Sequence, residues 1–395
     1  MHARLLVMSL LTAAVCSSPS TAGWTYTVLT PVGVPHAEIT SISGNQQGGL
    51  TISPNNPGYW SGTAGSWVNL LPAGATTGRV NGIANGQQAG NARIGGNQQA
   101  GIWTGTAASW VNLHPAGASV SYAYDTNGTQ QVGHAQIGAQ LRACLWSGTV
   151  LSRVDLHPGA AAHSYATAIS PSGNEQVGYA GTAGAWHAGK WNGTAASWVD
   201  LHPAGSTNSS AYGTNGSQQV GEAYFGATTS ASLWSGTAAS WVNLHPAGAQ
   251  SSRAMGIAGN WQVGYTIHPS SIHRAAIWNG NAASHFDLHS LLPATYAYSE
   301  ATTVEVVGNV VYVGGHATKP TIVDRDAILW KFTLDTPGDI NGDGHVNVSD
   351  LLAVITAWGP CPVPPTTCSS DIAPLPSGDG QVNVNDLLMV ITNWG

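Results

Sequence analysis

The sequence predicts an all-β ring followed by a small all-α calcium-binding domain, and three observations carry that reading. Tryptophans at 60, 103, 146, 191, 234, 278 and 330 mark an internal repeat with gaps of 43, 43, 45, 43, 44 and 52 residues. A turn dipeptide recurs within each repeat, as Asn85-Gly86, Asn127-Gly128 and Asn215-Gly216 or as its reverse in Gly44-Asn45, Gly173-Asn174, Gly259-Asn260 and Gly308-Asn309. Two copies of Asp-Leu-Leu-x-Val-Ile-Thr-x-Trp-Gly, starting at Asp350 and Asp386, each follow an oxygen-rich loop. Repeats of this length holding four short strands are blade-sized. Residues 23–335 are therefore expected to form a seven-bladed β-propeller, and residues 336–395 a paired loop-helix domain.

Residues 1–22 read as a signal peptide. His2 and Arg4 precede an apolar run from Leu5 to Val15, and Ser20, Thr21 and Ala22 offer small residues for cleavage. The run is too short to span a bilayer. An exported, secreted or cell-surface protein is expected.

The mature chain opens on Gly23 to Pro31, which resembles the fourth strand of a repeat with no first three before it. At the far end, Ala327 to Trp330 is a third strand with little after it. The N-terminal strand is thus expected to complete the seventh blade and close the ring, removing two sheet edges. An open solenoid is the alternative architecture.

Within a representative repeat the strands are expected at Ser210 to Gly213, Gln218 to Tyr224, Ala231 to Trp234 and Ser240 to His245. Asn-Gly suits the turn between the first two because both residues tolerate positive φ. Both faces of each meander carry apolar side chains, so sheets stacked around an axis would bury them.

Composition narrows the function. Only 7% of residues are charged, against about 25% in ordinary domains, and the net charge is −7. Without clustered Lys and Arg, nucleic-acid binding is disfavoured. His114, His157, His202, His245 and His289 end the fourth strands, one per blade. They lie too far apart around a ring to share a metal, and bonding to a neighbouring turn is expected instead. The residues two before them alternate between amide and acid, Asn112, Asp155, Asp200, Asn243 and Asp287, which argues against acid-base catalysis. Cys144 stands in a packed strand and reads as an inert thiol. Most of the 16 tryptophans fall at packed positions. Trp186 and Trp261 fall outside them and are candidates for ligand contact.

The tail has the strongest signal. Asp339, Asn341, Asp343, Asn347 and Asp350 occupy positions 1, 3, 5, 9 and 12 of a calcium loop, with Gly344 at 6 and the His345 carbonyl at 7. The second loop is irregular. Asp379, Gln381, Asn383 and Asp386 fall at 5, 7, 9 and 12, and Ser377 at 3, but Leu375 stands at position 1. Asp371 supplies position 1 if the Ala-Pro-Leu-Pro segment bulges between positions 2 and 3. Such a loop orders at greater entropic cost, so Ca²⁺ is expected to bind firmly in the first loop and more weakly in the second. In the helices that follow, Leu351, Leu352, Val354, Ile355 and Trp358, and Leu387, Leu388, Val390, Ile391 and Trp394, form one apolar stripe each. The two are expected to bury each other. Cys361 and Cys368 are expected to form a disulfide, worth roughly 2–3 kcal/mol by chain entropy.

These loops and helices resemble the type I dockerin, a bacterial module that docks on a cohesin. The resemblance covers residues 337–395 and rests on the duplicated loop plus helix, the Asp at position 12 and the missing incoming helix. It implies that loop positions 10 and 11, Val348 and Ser349 in one copy and Val384 and Asn385 in the other, contact the partner, together with exposed helix positions. The repeats resemble the extracellular HAF-type repeat, through Gly82-Ile83 with Gln88 and Gly90, then Ala100-Gly-Ile-Trp103 and Asn112-Leu113. That family has no assigned chemistry.

The combined reading is a secreted, non-catalytic binding or scaffold protein that a calcium-loaded dockerin carries to a cohesin-like partner or surface complex, in polysaccharide utilisation. The alternative is an extracellular carbohydrate-active propeller, a glycoside hydrolase or a lectin.

Overall fold

Trp60, Trp103, Trp146, Trp191, Trp234, Trp278 and Trp330, the landmarks of the repeat, are at most 1% exposed. The computed structural model in which they are seen describes residues 23–52, 55–320, 324–334, 337–341, 345–361, 368–373 and 378–395. The proposed signal peptide lies outside the described residues. By contacts the chain divides into one unit that runs through Glu305 and resumes over Tyr312–Trp330, and a second made of Val306–Val311 and Lys331–Gly395.

The first unit is a propeller-type arrangement of antiparallel meanders. Five separate four-stranded sheets cover 75–112, 118–155, 164–200, 208–243 and 251–287, each in sequence order. The remaining eight strands form one sheet. Its halves are the four strands within 36–69 and the three strands within 298–333, to whose last member the N-terminal strand Trp24–Val28 pairs. A single parallel pairing, His36 with Arg325, joins the halves.

The first strand of each of the first six meanders carries a β-bulge, for example between Ile39 and Ser41, Val80 and Gly82, or Ala166 and Ala168. A bulge frees one residue from the ladder. Here the freed residue reaches the next sheet. Thr40 Oγ1 donates to the Val80 carbonyl (2.8 Å), Asn81 Nδ2 to Ala123 (2.8 Å), Thr167 Oγ1 to Ala211 (2.8 Å) and Thr302 Oγ1 to Ile39 (2.7 Å). The last of these links the seventh meander to the first.

The fourth strands are shorter than expected. In the representative repeat only Val242–Asn243 pairs, after a 3-10 turn over Ala238–Ser240. Ser240 makes that turn by accepting from the Ser235 N–H (2.8 Å) and donating to the Thr237 carbonyl (2.7 Å), which competes with strand extension. Leu244 is then fully buried, but Val242 is 39% exposed, because the fourth strand is the outer edge. The expectation that both faces are buried therefore fails at this strand.

The five repeated histidines latch sheet to sheet. His157 Nδ1 is 2.8 Å from Ser164 Oγ on the next meander, and that hydroxyl accepts the Ala143 N–H at 2.9 Å. The same pairing joins His114 to Ser121, His202 to Ser209, His245 to Ser252 and His289 to Ser299. The Asn or Asp two residues earlier accepts the histidine's own N–H, as Asn112 does at 2.7 Å and Asp155 at 2.9 Å. An amide oxygen serves as well as a carboxylate there, which explains the exchange between them.

The second unit holds helices α1 (Val348–Thr356) and α2 (Val384–Thr392), which pack together around buried Val346, Val354, Val382 and Val390. It is not purely helical: Gly359–Pro360 pairs antiparallel with Gln381–Val382. Among the described residues no helix is long and apolar enough to cross a membrane.

Candidate functional site

The two loop-helix copies build the same constellation around the acid at position 12. Asp350 and Asp386 are fully buried. Asp350 Oδ1 accepts from the N–H groups of Ile340 (2.8 Å) and Asn341 (3.2 Å), and Oδ2 accepts from Asn347 (2.9 Å). Asp386 Oδ1 accepts from Ile372 (2.7 Å) and Ala373 (2.8 Å), and Oδ2 from Asn383 (2.8 Å). Burial alone would raise the Asp350 pKa, but the backbone donors outweigh it and hold the carboxyl below its ordinary value. Asn347 and Asn383 cap α1 and α2 by accepting from Ser349 and Asn385 (both 2.8 Å), and each completes a capping box with its acid.

The matching contacts align Asp371-Ile372-Ala373 with Asp339-Ile340-Asn341. Asp371 turns back on its own loop, accepting from the Asp379 N–H (3.0 Å) and the Gly380 N–H (2.8 Å). Asn383 Nδ2 is 3.3 Å from Asp379 Oδ2 and 3.2 Å from the Gln381 carbonyl. In the first copy Asn347 Nδ2 is 3.4 Å from the His345 carbonyl. The Ala373 N–H thus makes to Asp386 the contact that the Asn341 N–H makes to Asp350. Asp343 and Ser377, expected ligands, lie outside the described residues. The donors that do converge are hard oxygens, which suit calcium rather than a soft metal. Cys361, Cys368 and Asp371 also cluster. Both sulfurs there are committed to a disulfide with Cα atoms 5.6 Å apart, so they offer no thiolate.

The helices do not bury their whole stripes. Val354 and Val390 are buried, whereas Leu352, Ile355 and Trp358 are 53%, 51% and 52% exposed, and Leu388, Ile391 and Trp394 50%, 51% and 50%. Two nine-residue helices meet along one line each, so residues a quarter-turn away face outward. Val348 and Val384, at loop position 10, are exposed beside them. The result is the same apolar face twice.

Residues 337–393 match the dockerin type I domain. The dockerin-type tail follows a propeller whose likeness to solved structures is one of fold. Among these are a puromycin hydrolase (11% identity, TM-score 0.50, 76% of this chain and 54% of that one) and a puromycin-hydrolyzing peptidase from Mycobacterium tuberculosis (12%, 0.48, 79% and 55%). Another is the β-propeller domain of the Trilobed protease from Pyrococcus furiosus (9%, 0.49, 77% and 97%). The chain spans about half the length of the two hydrolases. It has no match in sequence among curated proteins.

Sequence reasoning missed a belt of polar and aromatic side chains within the first unit. Glu38 pairs with Arg325 and lies 3.5 Å from Arg79. Burial opposes its ionisation, but His316, Arg79 and Arg325 override that and keep its pKa low. Tyr122 stacks on Tyr124 and His134, His134 meets Tyr165, and Tyr165 stacks on Tyr179. Trp186, singled out from sequence, meets Tyr165 and Tyr179 edge-on. Farther along, Arg253 lies over Tyr212 and Tyr265 and donates to Glu222 at 2.7 Å, while His273 bonds Glu300 at 2.6 Å. Trp261 is elsewhere, at a hairpin opposite Ala258. The available signal was variation: just before the bulge position the repeat reads Glu38, Arg79, Tyr122, Tyr165, Ser210, Arg253 and Glu300.

Proposed function

We propose that this is a secreted, non-catalytic binding or scaffold protein, tethered by a calcium-loaded dockerin-type tail to a cohesin-like partner. The observation that carries the reading is the matching exposed face on and just after α1 and α2, Leu352-Ile355-Trp358 and Leu388-Ile391-Trp394, beside loops that hold their position-12 acids in the same way. Calcium would be held by Asp339, Asn341, Asp343, Asn347, Asp350 and the His345 carbonyl in one loop. Asp371, Ser377, Asp379, Asn383, Asp386 and the Gln381 carbonyl would hold it in the other. The cation neutralises the clustered carboxylates and fixes the loops, and the chain's own residues then present the apolar face, with Val348, Ser349, Val384 and Asn385 at its edge. Cargo is carried by a seven-bladed ring, residues 23–335, that Trp24–Val28 closes, with residues 1–22 removed on export. Four of the propeller's five glutamates, Glu38, Glu175, Glu222 and Glu300, are each paired with a basic side chain, which supports binding over catalysis at those positions; Glu305 has no such pairing among the described residues.

The test is calcium titration calorimetry on the mature chain, followed by capture on an immobilised type I cohesin with calcium and with EDTA. Heat on calcium addition and EDTA-sensitive capture support the reading. Absence of binding heat removes the metal, and calcium-independent capture removes the coupling.

A further inference from the structure

The belt opens into a cavity of about 450 Å³ lined by the first three meanders, a volume within the usual range of about 300–1,000 Å³ for small-molecule sites. Its lining is polar but nearly uncharged. Asn81, Asn91 and Gln98 form a chain of amides in which Asn81 Nδ2 donates to Asn91 Oδ1 (3.3 Å) and Asn91 Nδ2 to Gln98 Oε1 (2.7 Å). Asn91 is 6% exposed, so this order is held by packing. Tyr122 and Tyr124 give the same cavity two ring faces. Arg79 is its charged member, and Glu38 balances it.

Of the side chains that line the cavity, Arg79 has a buried Nε without a protein partner. His134, 4% exposed, stacks under both tyrosines. Flat rings, preset amides and one neutralised guanidinium suit a ligand that has an apolar face and many groups that both donate and accept. An uncharged pyranose has both.

We propose that the cavity bounded by Arg79, Asn91, Gln98, Tyr122 and Tyr124 binds a neutral oligosaccharide, one sugar ring stacking on a tyrosine and its hydroxyls bonding the amides. Trp186 and Tyr165 lie farther along the belt, where a longer chain would extend. This site belongs to the first unit and is independent of the docking proposal, so it works without calcium.

The test is titration calorimetry of the full mature chain in EDTA with cellohexaose, xylohexaose, mannohexaose and maltohexaose, and with an acidic galacturonate hexamer and a casein-peptide digest as comparators. At least one neutral hexaose should bind, and Gln98→Ala and Tyr122→Ala should each weaken it tenfold or more. Thermal denaturation checks that both variants fold; Gln98, half-exposed on its strand, is the safer of the two. Binding of the galacturonate alone, of peptides alone, or of no hexaose overturns the proposal, as does a neutral hexaose whose affinity ignores both substitutions. Loss of cohesin capture in the same EDTA buffer leaves the sugar site unaffected, so the two proposals fail separately.

Discussion

The indole of Trp110 occupies the space a side chain on Gly101 would need: a Cβ at Gly101 would lie 2.1 Å from the ring. The same relation joins Gly189 to Trp198 at 2.1 Å and Gly58 to Trp67 at 2.4 Å. Where the glycine is replaced, the contact changes. Cys144 stands at the glycine's place opposite Arg153, whose Nη1 is 3.5 Å from the sulfur. Ser232 stands opposite Trp241, whose Nε1 donates to the hydroxyl at 2.9 Å. Cys144 is fully buried and its thiol is pushed up to about 11, chiefly by burial, so it packs rather than reacts.

Gly101→Ala should therefore expel Trp110 from its seat against Trp103, where the ring centres are 4.5 Å apart. Overpacking of this kind costs about 1–3 kcal/mol. Urea denaturation of the single variant should show that loss. In Gly101→Ala/Trp110→Ala the two changes should be less than additive, and strict additivity would show that the contact carries no energy.

Acid should loosen the propeller before it reaches the carboxylates. Burial is the first cause holding His114, His157, His202, His245 and His289 below the ordinary imidazole pKa, and it pushes His134 down to about 4. The unfolded chain takes up these protons near pH ~6.5 while the folded chain resists. Stability present above that pH is lost as pH falls through the depressed folded values. Asp125, pushed up to about 6 by burial, and Glu305, also raised by burial, oppose this, but they are two groups against these six histidines. The melting temperature should fall between about pH 7 and pH 5, and His157→Asn should reduce the slope. A flat profile would mean the latches do not titrate with folding.

Duplication of the docking face predicts redundancy. Leu352→Asp alone and Leu388→Asp alone should each leave cohesin capture close to that of the unmodified chain, because the other helix presents the same residues. The double variant should weaken it at least tenfold, or about 1.4 kcal/mol. If one single change already abolishes capture, only one copy docks.

Calcium should distinguish the loops. Asp350→Ala removes the acceptor of three backbone donors as well as a ligand; loss of a helix cap alone costs about 0.5–2 kcal/mol. Calorimetry should show the tighter of two binding events disappear, and circular dichroism should show helix loss that added calcium does not restore. Asp371→Asn should remove only the weaker event. Loss of the tighter event in that variant would reverse the order assigned to the loops.

The 44-residue period, the Asn-Gly turns and the paired acid loops are local patterns, and the chain states them outright. That is why the blade-sized meanders and the dockerin-type tail were legible, down to the pairing of Trp24–Val28 with the last strand of the seventh meander. The sequence by itself also proposed which residues could hold a cation, since oxygen ligands recur at fixed offsets in the first loop. What only tertiary structure decided was which side of a repeated pattern faces outward. Leu352 and Val354 look alike in sequence, but two short helices touch along one line, which buries one and exposes the other. Likewise Glu38, Tyr165 and Arg253 lie more than 80 residues apart in sequence, and only the packing of the sheets gathers them into one belt.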